Sequence, residues 1–102
     1  MPLGLVIDQA QLADLCRRYH VAKLELFGSR AKGTSRSDSD VDLLVTFEAN
    51  AVIGLEFFGL GMELEALLGR HVDLLTRPRV ERDRNARFRS NVLGSVELLY
   101  AA

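Results

Sequence analysis

The stretch "FGSRAKGTSRSDSDVDLLV", residues 27 to 45, ends in aspartates at every second position: Asp38, Asp40 and Asp42. Side chains in a β-strand alternate faces, so Asp40 and Asp42 point the same way from Cα atoms roughly 6.5–7 Å apart, a gap that a divalent ion can bridge. Two carboxylates on a rigid element are hard oxygen ligands. They suit Mg²⁺ shared with substrate phosphates, because Mg²⁺ keeps waters and phosphate oxygens in its octahedron. A third carboxylate from another strand, Asp73 in "HVDLLT", could complete a site for two Mg²⁺ ions roughly 3.5–4 Å apart, clamping the attacking and leaving oxygens of an in-line displacement. Upstream, Gly28 allows a phosphate to approach the backbone, and Ser29 offers both an amide and a hydroxyl. A phosphate would lie there, with Arg30 and Lys32 placed to neutralise it unless one of them is simply solvated.

Two familiar phosphate and metal motifs do not fit. A P-loop needs G-x-x-x-x-G-K-[ST]; Gly28 and Gly33 match, but Thr34 stands where the lysine must reach the phosphates. An EF-hand counted from Asp38 has Leu43 at the obligatory glycine and Ala49 at the bidentate glutamate. Taken singly, Gly28-Ser29 also reads as a strand end with an N-cap serine, Gly33 as a turn glycine, and Asp73 as a solvated or capping residue. Asp38 belongs with the turn. A pair of aspartates on one strand face disfavours the strand and repels itself, so a purely structural role leaves that cost unexplained.

The flanking pattern predicts the elements that hold these residues. Leu12, Leu15, Cys16 and Tyr19 recur at helical spacing behind Asp8, whose offset to Gln11 resembles a capping box, so a helix covers roughly 8 to 20 with Cys16 in the core. Ala22, Leu24 and Leu26 alternate with Lys23 and Glu25, a half-buried strand that delivers the chain into Gly28. "SDVDLLVTF", 39 to 47, is a second strand with Val41, Leu43 and Val45 on one face and Asp40, Asp42 and Leu44 on the other. A helix follows from about 53 to 68 and ends at Gly69. "HVDLLT" is a third strand, 80 to 93 a mostly polar helix, and "VELLYA" a terminal strand. This order predicts an α+β fold (α/β by a looser rule), a small mixed sheet with helices packed on it.

A chain of 102 residues with 48% hydrophobic and 26% charged residues is expected to form a single globular domain, 1–102. The net charge of -1 gives no overall field for nucleic acid or an anionic membrane. With one cysteine, no signal-like start and no long uninterrupted apolar run, the expected location is the cytoplasm, away from membranes. His20 and His71 read as surface residues. Phe57, Phe58 and Met62 read as core or as a ridge facing a partner. Six arginines between 77 and 89 (Arg77, Arg79, Arg82, Arg84, Arg87 and Arg89) form either a solvated helix face or a docking surface for an acidic partner or RNA.

Together, "LFGSRAKG", "SDVDLLV", "HVDLLT" and "VELLYA" resemble the DNA polymerase beta nucleotidyltransferase superfamily, and within it the minimal nucleotidyltransferase (MNT) family of prokaryotes, small proteins often paired with HEPN-domain toxins. The resemblance covers most of the chain. It implies Asp40, Asp42 and Asp73 as metal-holding catalytic carboxylates, the third also orienting or deprotonating the attacking hydroxyl, and Gly28, Ser29, Arg30 and Lys32 as the nucleotide site. It further implies Mg²⁺ and transfer of AMP or another nucleoside monophosphate from ATP or another NTP to a hydroxyl, that of a tyrosine on a HEPN toxin that is thereby silenced. No second domain is present to hold a long nucleic acid, so direct nucleic-acid binding is not expected. The competing reading is a non-catalytic antitoxin that blocks its partner sterically.

Overall fold

The computed structural model describes residues 7–27, 41–49, 54, 56–94 and 96–102. The elements run α1 (Gln9–Arg18), β1 (Val21–Phe27), β2 (Val41–Phe47), α2 (Glu56–Leu68), β3 (Val72–Thr76), α3 (Arg77–Glu81), α4 (Ala86–Leu93) and β4 (Glu97–Ala101). They build one four-stranded sheet in the order β3-β2-β1-β4. β1 pairs antiparallel with both β2 and β4, whereas β2 and β3, joined through the crossover helix α2, run parallel. The fold is therefore α+β with a mixed sheet, as the element order predicts.

Helices cover both faces. Leu12, Leu15 and Cys16 of α1 and Leu60 and Leu64 of α2 pack with Leu24, Leu26, Val41, Leu43 and Val45. On the opposite face, Val80 of α3 and Val92 of α4 pack with Phe27 and Leu44. Leu43 and Leu44 are neighbours in one strand yet belong to different clusters, as the strand pleat requires. Each such side chain, fully removed from water, contributes about 1.5–3 kcal/mol.

Local signals set the ends of the helices. The Asp8 carboxylate accepts the Gln11 N–H at 3.1 Å and caps α1. Gly69, at φ 67°, turns the chain out of α2 in the left-handed region where a Cβ is strained. The helix expected over 80 to 93 is in fact two. The Asp83 carboxylate accepts the Asn85 N–H at 2.8 Å and Asn85 accepts that of Phe88 at 3.1 Å, so two short polar side chains take amides that a continuous helix would have used. The reading of β1 as half-buried also needs correction. Glu25 is buried, because α3 and α4 cover the face that alternation alone assigns to solvent. Among the described residues, no helix is long and apolar enough to cross a membrane.

Cys16 lies fully buried, and desolvation, only partly opposed by Arg17, pushes its thiol from 9.0 up to about 11. Because the folded pKa is the higher one, the folded state holds its proton longer. The stability tied to this proton is complete below pH 9 and is lost as the pH rises towards 11. The loss amounts to about 2–3 kcal/mol in total. Urea titrations at pH 8 and pH 10.5 are expected to show a steeper decline for the wild type than for Cys16→Ala; parallel declines would remove Cys16 from the alkaline transition.

Candidate active site

β2 enters the sheet at Val41, whose N–H donates to the His71 carbonyl at 2.8 Å and so starts the parallel ladder. In that ladder Val41 faces Val72 and Asp42 faces Asp73. Directly paired residues of adjacent strands share a face and lie roughly 4.8 Å apart at Cα. The two carboxylates therefore project side by side, on the face that also carries Leu44 and Leu75 and is covered further along by α3 and α4. On its other flank Asp42 is paired with Phe27, the last residue of β1. Asp42 is half-buried against this neighbour, while Asp73 is exposed on the outer strand.

The segment 28–40 joins Phe27 to Val41, so both of its covalent ends lie at this end of the sheet, beside Asp42. Gly28, Ser29, Arg30, Lys32 and Asp40 belong to that segment and lie outside the described residues. The structure thus brings together two of the three expected carboxylates, Asp42 and Asp73. Oxygen-only donors held side by side on paired strands, with an exposed side, fit a hard divalent cation such as Mg²⁺. Among the described residues, no group of three or more potential metal ligands forms.

Alternation alone did not reveal the charged group beneath the site. Glu25 of β1 is the register partner of Leu44 and so lies on the same face as Asp42, one pair further along. Its carboxylate accepts from Arg77 Nη1 at 2.7 Å, with Lys23 Nζ 3.8 Å away. Arg77, the first residue of α3, also donates through Nε to Glu81 at 3.0 Å. Arg77 thus departs from both sequence readings of the arginine run, because its head points inward across β2. Arg89 donates to the Asp83 carbonyl. Arg79, Arg82, Arg84 and Arg87 are exposed.

On the opposite face of the sheet, a groove of about 440 Å³ between α1 and α2 is lined by Asp8, Asp14, Arg18 and Glu63 among others. Its polar groups are already engaged with one another. Arg18 bridges Asp14 at 3.2 Å and Glu63 at 3.3 Å, and the Tyr19 hydroxyl donates to Glu63. That hydrogen bond raises the Tyr19 pKa and lowers that of Glu63. The groove is a helix-packing seam, away from the paired aspartates. His20 and His71 are surface residues as expected; His71 Nδ1 lies 2.9 Å from Glu65.

Comparison with known proteins gives the family. The family model for the nucleotidyltransferase domain matches residues 9–97. The protein adenylyltransferase MntA of Thermococcus cleftensis is 43% identical over 68 residues, 67% of this chain and 68% of the relative. A solved structure described as that of a candidate minimal nucleotidyltransferase is 37% identical, with a TM-score of 0.64 over 87% of this chain and 86% of that one. An MNT antitoxin solved with the tri-AMPylated HEPN toxin of Shewanella oneidensis shares the fold, with a TM-score of 0.59 at 20% identity over 92% of this chain and 70% of that one. With its sheet, its paired strand aspartates and these matches in agreement, the chain belongs to the nucleotidyltransferase domain family, in its minimal nucleotidyltransferase branch.

Proposed function

We propose that this chain transfers AMP from ATP to a tyrosine hydroxyl of a HEPN-domain toxin partner and thereby acts as its antitoxin. The observation that carries the reading is the register pairing of Asp42 with Asp73 on adjacent strands. The protein adenylyltransferase relative and the AMPylated toxin complex support the choice of AMP and of a protein acceptor.

In this reading the acceptor oxygen attacks the α-phosphorus in line, the bond from that phosphorus to the bridging oxygen breaks, and pyrophosphate leaves. Asp42, Asp73 and the preceding Asp40 would hold Mg²⁺, which when bound neutralises phosphate charge and orients the reacting oxygens. Asp73, exposed where Asp42 is half-buried, is open to an incoming hydroxyl, which it orients and whose proton it accepts. Gly28 and Ser29 receive the β- and γ-phosphates, and Arg30 and Lys32 balance their charge. Catalysis is then mainly positioning and charge neutralisation.

The test is incubation of the chain with ATP labelled at the α-phosphate, Mg²⁺ and a HEPN-domain toxin, followed by mass spectrometry. The expected result is AMP on a partner tyrosine, dependent on ATP and abolished by EDTA. A partner that gains no AMP, or gains it equally in EDTA, would contradict the proposal.

A further inference from the structure

β3 is an edge strand of the sheet. In a parallel ladder, alternate residues turn their N–H and C=O towards the neighbouring strand. The His71 carbonyl faces β2, where it accepts from Val41; Asp73 and Leu75 share that direction. Val72, Leu74 and Thr76 therefore turn theirs outward. The Val72 N–H is already taken, by the Glu65 carboxylate at 3.0 Å. The outward backbone groups of Leu74 lie at a groove of about 520 Å³ that straddles the edge. Phe57 and Phe58 of α2 line it from one side, with Leu74 and Thr76; Leu75 and Arg79 line it from the other. Phe58 is 67% exposed, and a second hollow of about 210 Å³ continues along α2 to Met62, which is 71% exposed.

We infer that this edge receives a short extended segment of a partner protein, one that adds to β3 as a strand, seats apolar side chains against Phe57 and Phe58, and presents a carboxylate to Arg79. An added strand alternates its side chains between the two sides of the groove, and here one side is aromatic and the other carries the cation. Among the described residues, Arg79, Arg82, Arg84 and Arg87 have no ion-pair partner, so the charge on that side calls for an acidic segment. The inference goes beyond the proposed transfer and does not depend on the aspartates.

The probe is a short N-acetylated, C-amidated peptide alternating valine with aspartate, beside its counterpart with lysine in place of aspartate. Titration by NMR is expected to show saturable binding of the acidic peptide alone, with slowed hydrogen exchange at the Leu74 amide. Phe58→Asp and Arg79→Glu, both at exposed positions and so compatible with folding, are each expected to weaken it by at least about fivefold. Binding of neither peptide, equal binding of both, wild-type affinity in both variants, or unchanged Leu74 exchange would each overturn the inference. So would sedimentation showing that the chain dimerises through this edge and that Phe58→Asp dissociates it. An RNA oligonucleotide that binds in an Arg79-dependent manner where the acidic peptide does not would also overturn it. Asp42→Asn is expected to bind the peptide as wild type does, which separates this inference from any failure of transfer.

Discussion

If the proposed transfer is right, Asp42→Asn is expected to lower AMP transfer by a factor on the order of 10²–10³, because in that mechanism it withdraws one anionic ligand from a site that works by electrostatic positioning. Asp42 and Asp73 are direct register partners on neighbouring strands. Single-turnover kinetics with labelled ATP, alongside a urea titration, separates a loss of chemistry from a loss of fold: turnover falls by far more than any change in the folded fraction explains. Wild-type turnover would remove Asp42 from the proposed chemistry. Co-expression of the variant with the toxin then distinguishes catalysis from steric blocking. If transfer is what silences the partner, Asp42→Asn still associates with it but no longer protects the cell; full protection would favour the non-catalytic antitoxin.

The second large effect concerns stability. Arg77→Ala is expected to destabilise the protein by about 3 kcal/mol, the lower end of the range for removing one partner of a buried ion pair, because Lys23 still approaches Glu25. That is a large part of the roughly 5–15 kcal/mol that keeps a domain folded. The cost arises from Glu25, left charged and only 6% exposed without its closest cation. Glu25→Leu combined with Arg77→Met should recover most of the loss, since two apolar groups leave no buried charge behind. Chemical denaturation of the wild type, Glu25→Leu, Arg77→Met and the double variant forms a thermodynamic cycle. A cost below about 1 kcal/mol for Arg77→Ala would place the pair among ordinary solvated ion pairs.

These two predictions also mark where the sequence was legible and where it was not. Strand parity is local, so the face shared by Val41, Leu43 and Val45, and the opposite face of Asp42 and Leu44, could be read from residue order and reappear in the two cores. The placement of Asp73 on a neighbouring strand followed from the motif order, but its pairing with Asp42 depends on how far α2 carries the chain, a length no alternation pattern records. Glu25 and Arg77 were missed for a related reason. Period-two spacing says which side chains share a face, but not whether another layer will cover that face. The split between α3 and α4 was signalled by Asp83 and Asn85, whose side chains compete for backbone amides, within a run whose arginines otherwise favour helix. Gly28, Ser29, Arg30, Lys32 and Asp40 rest on the resemblance and on residue chemistry alone.

The parallel pairing of β2 with β3 also sets the paired aspartates on two different kinds of connection. β1 and β2 are antiparallel neighbours joined by one connection, whereas β3 reaches β2 across the α2 crossover, a more distant contact with a slightly larger loop-closure cost. Asp42 is therefore tied to the hairpin and Asp73 to the crossover. Any local opening that peels α2 and β3 from the sheet would part the two carboxylates while β1, β2 and β4 remain paired, at the cost of exposing Leu60 and Leu64 of α2.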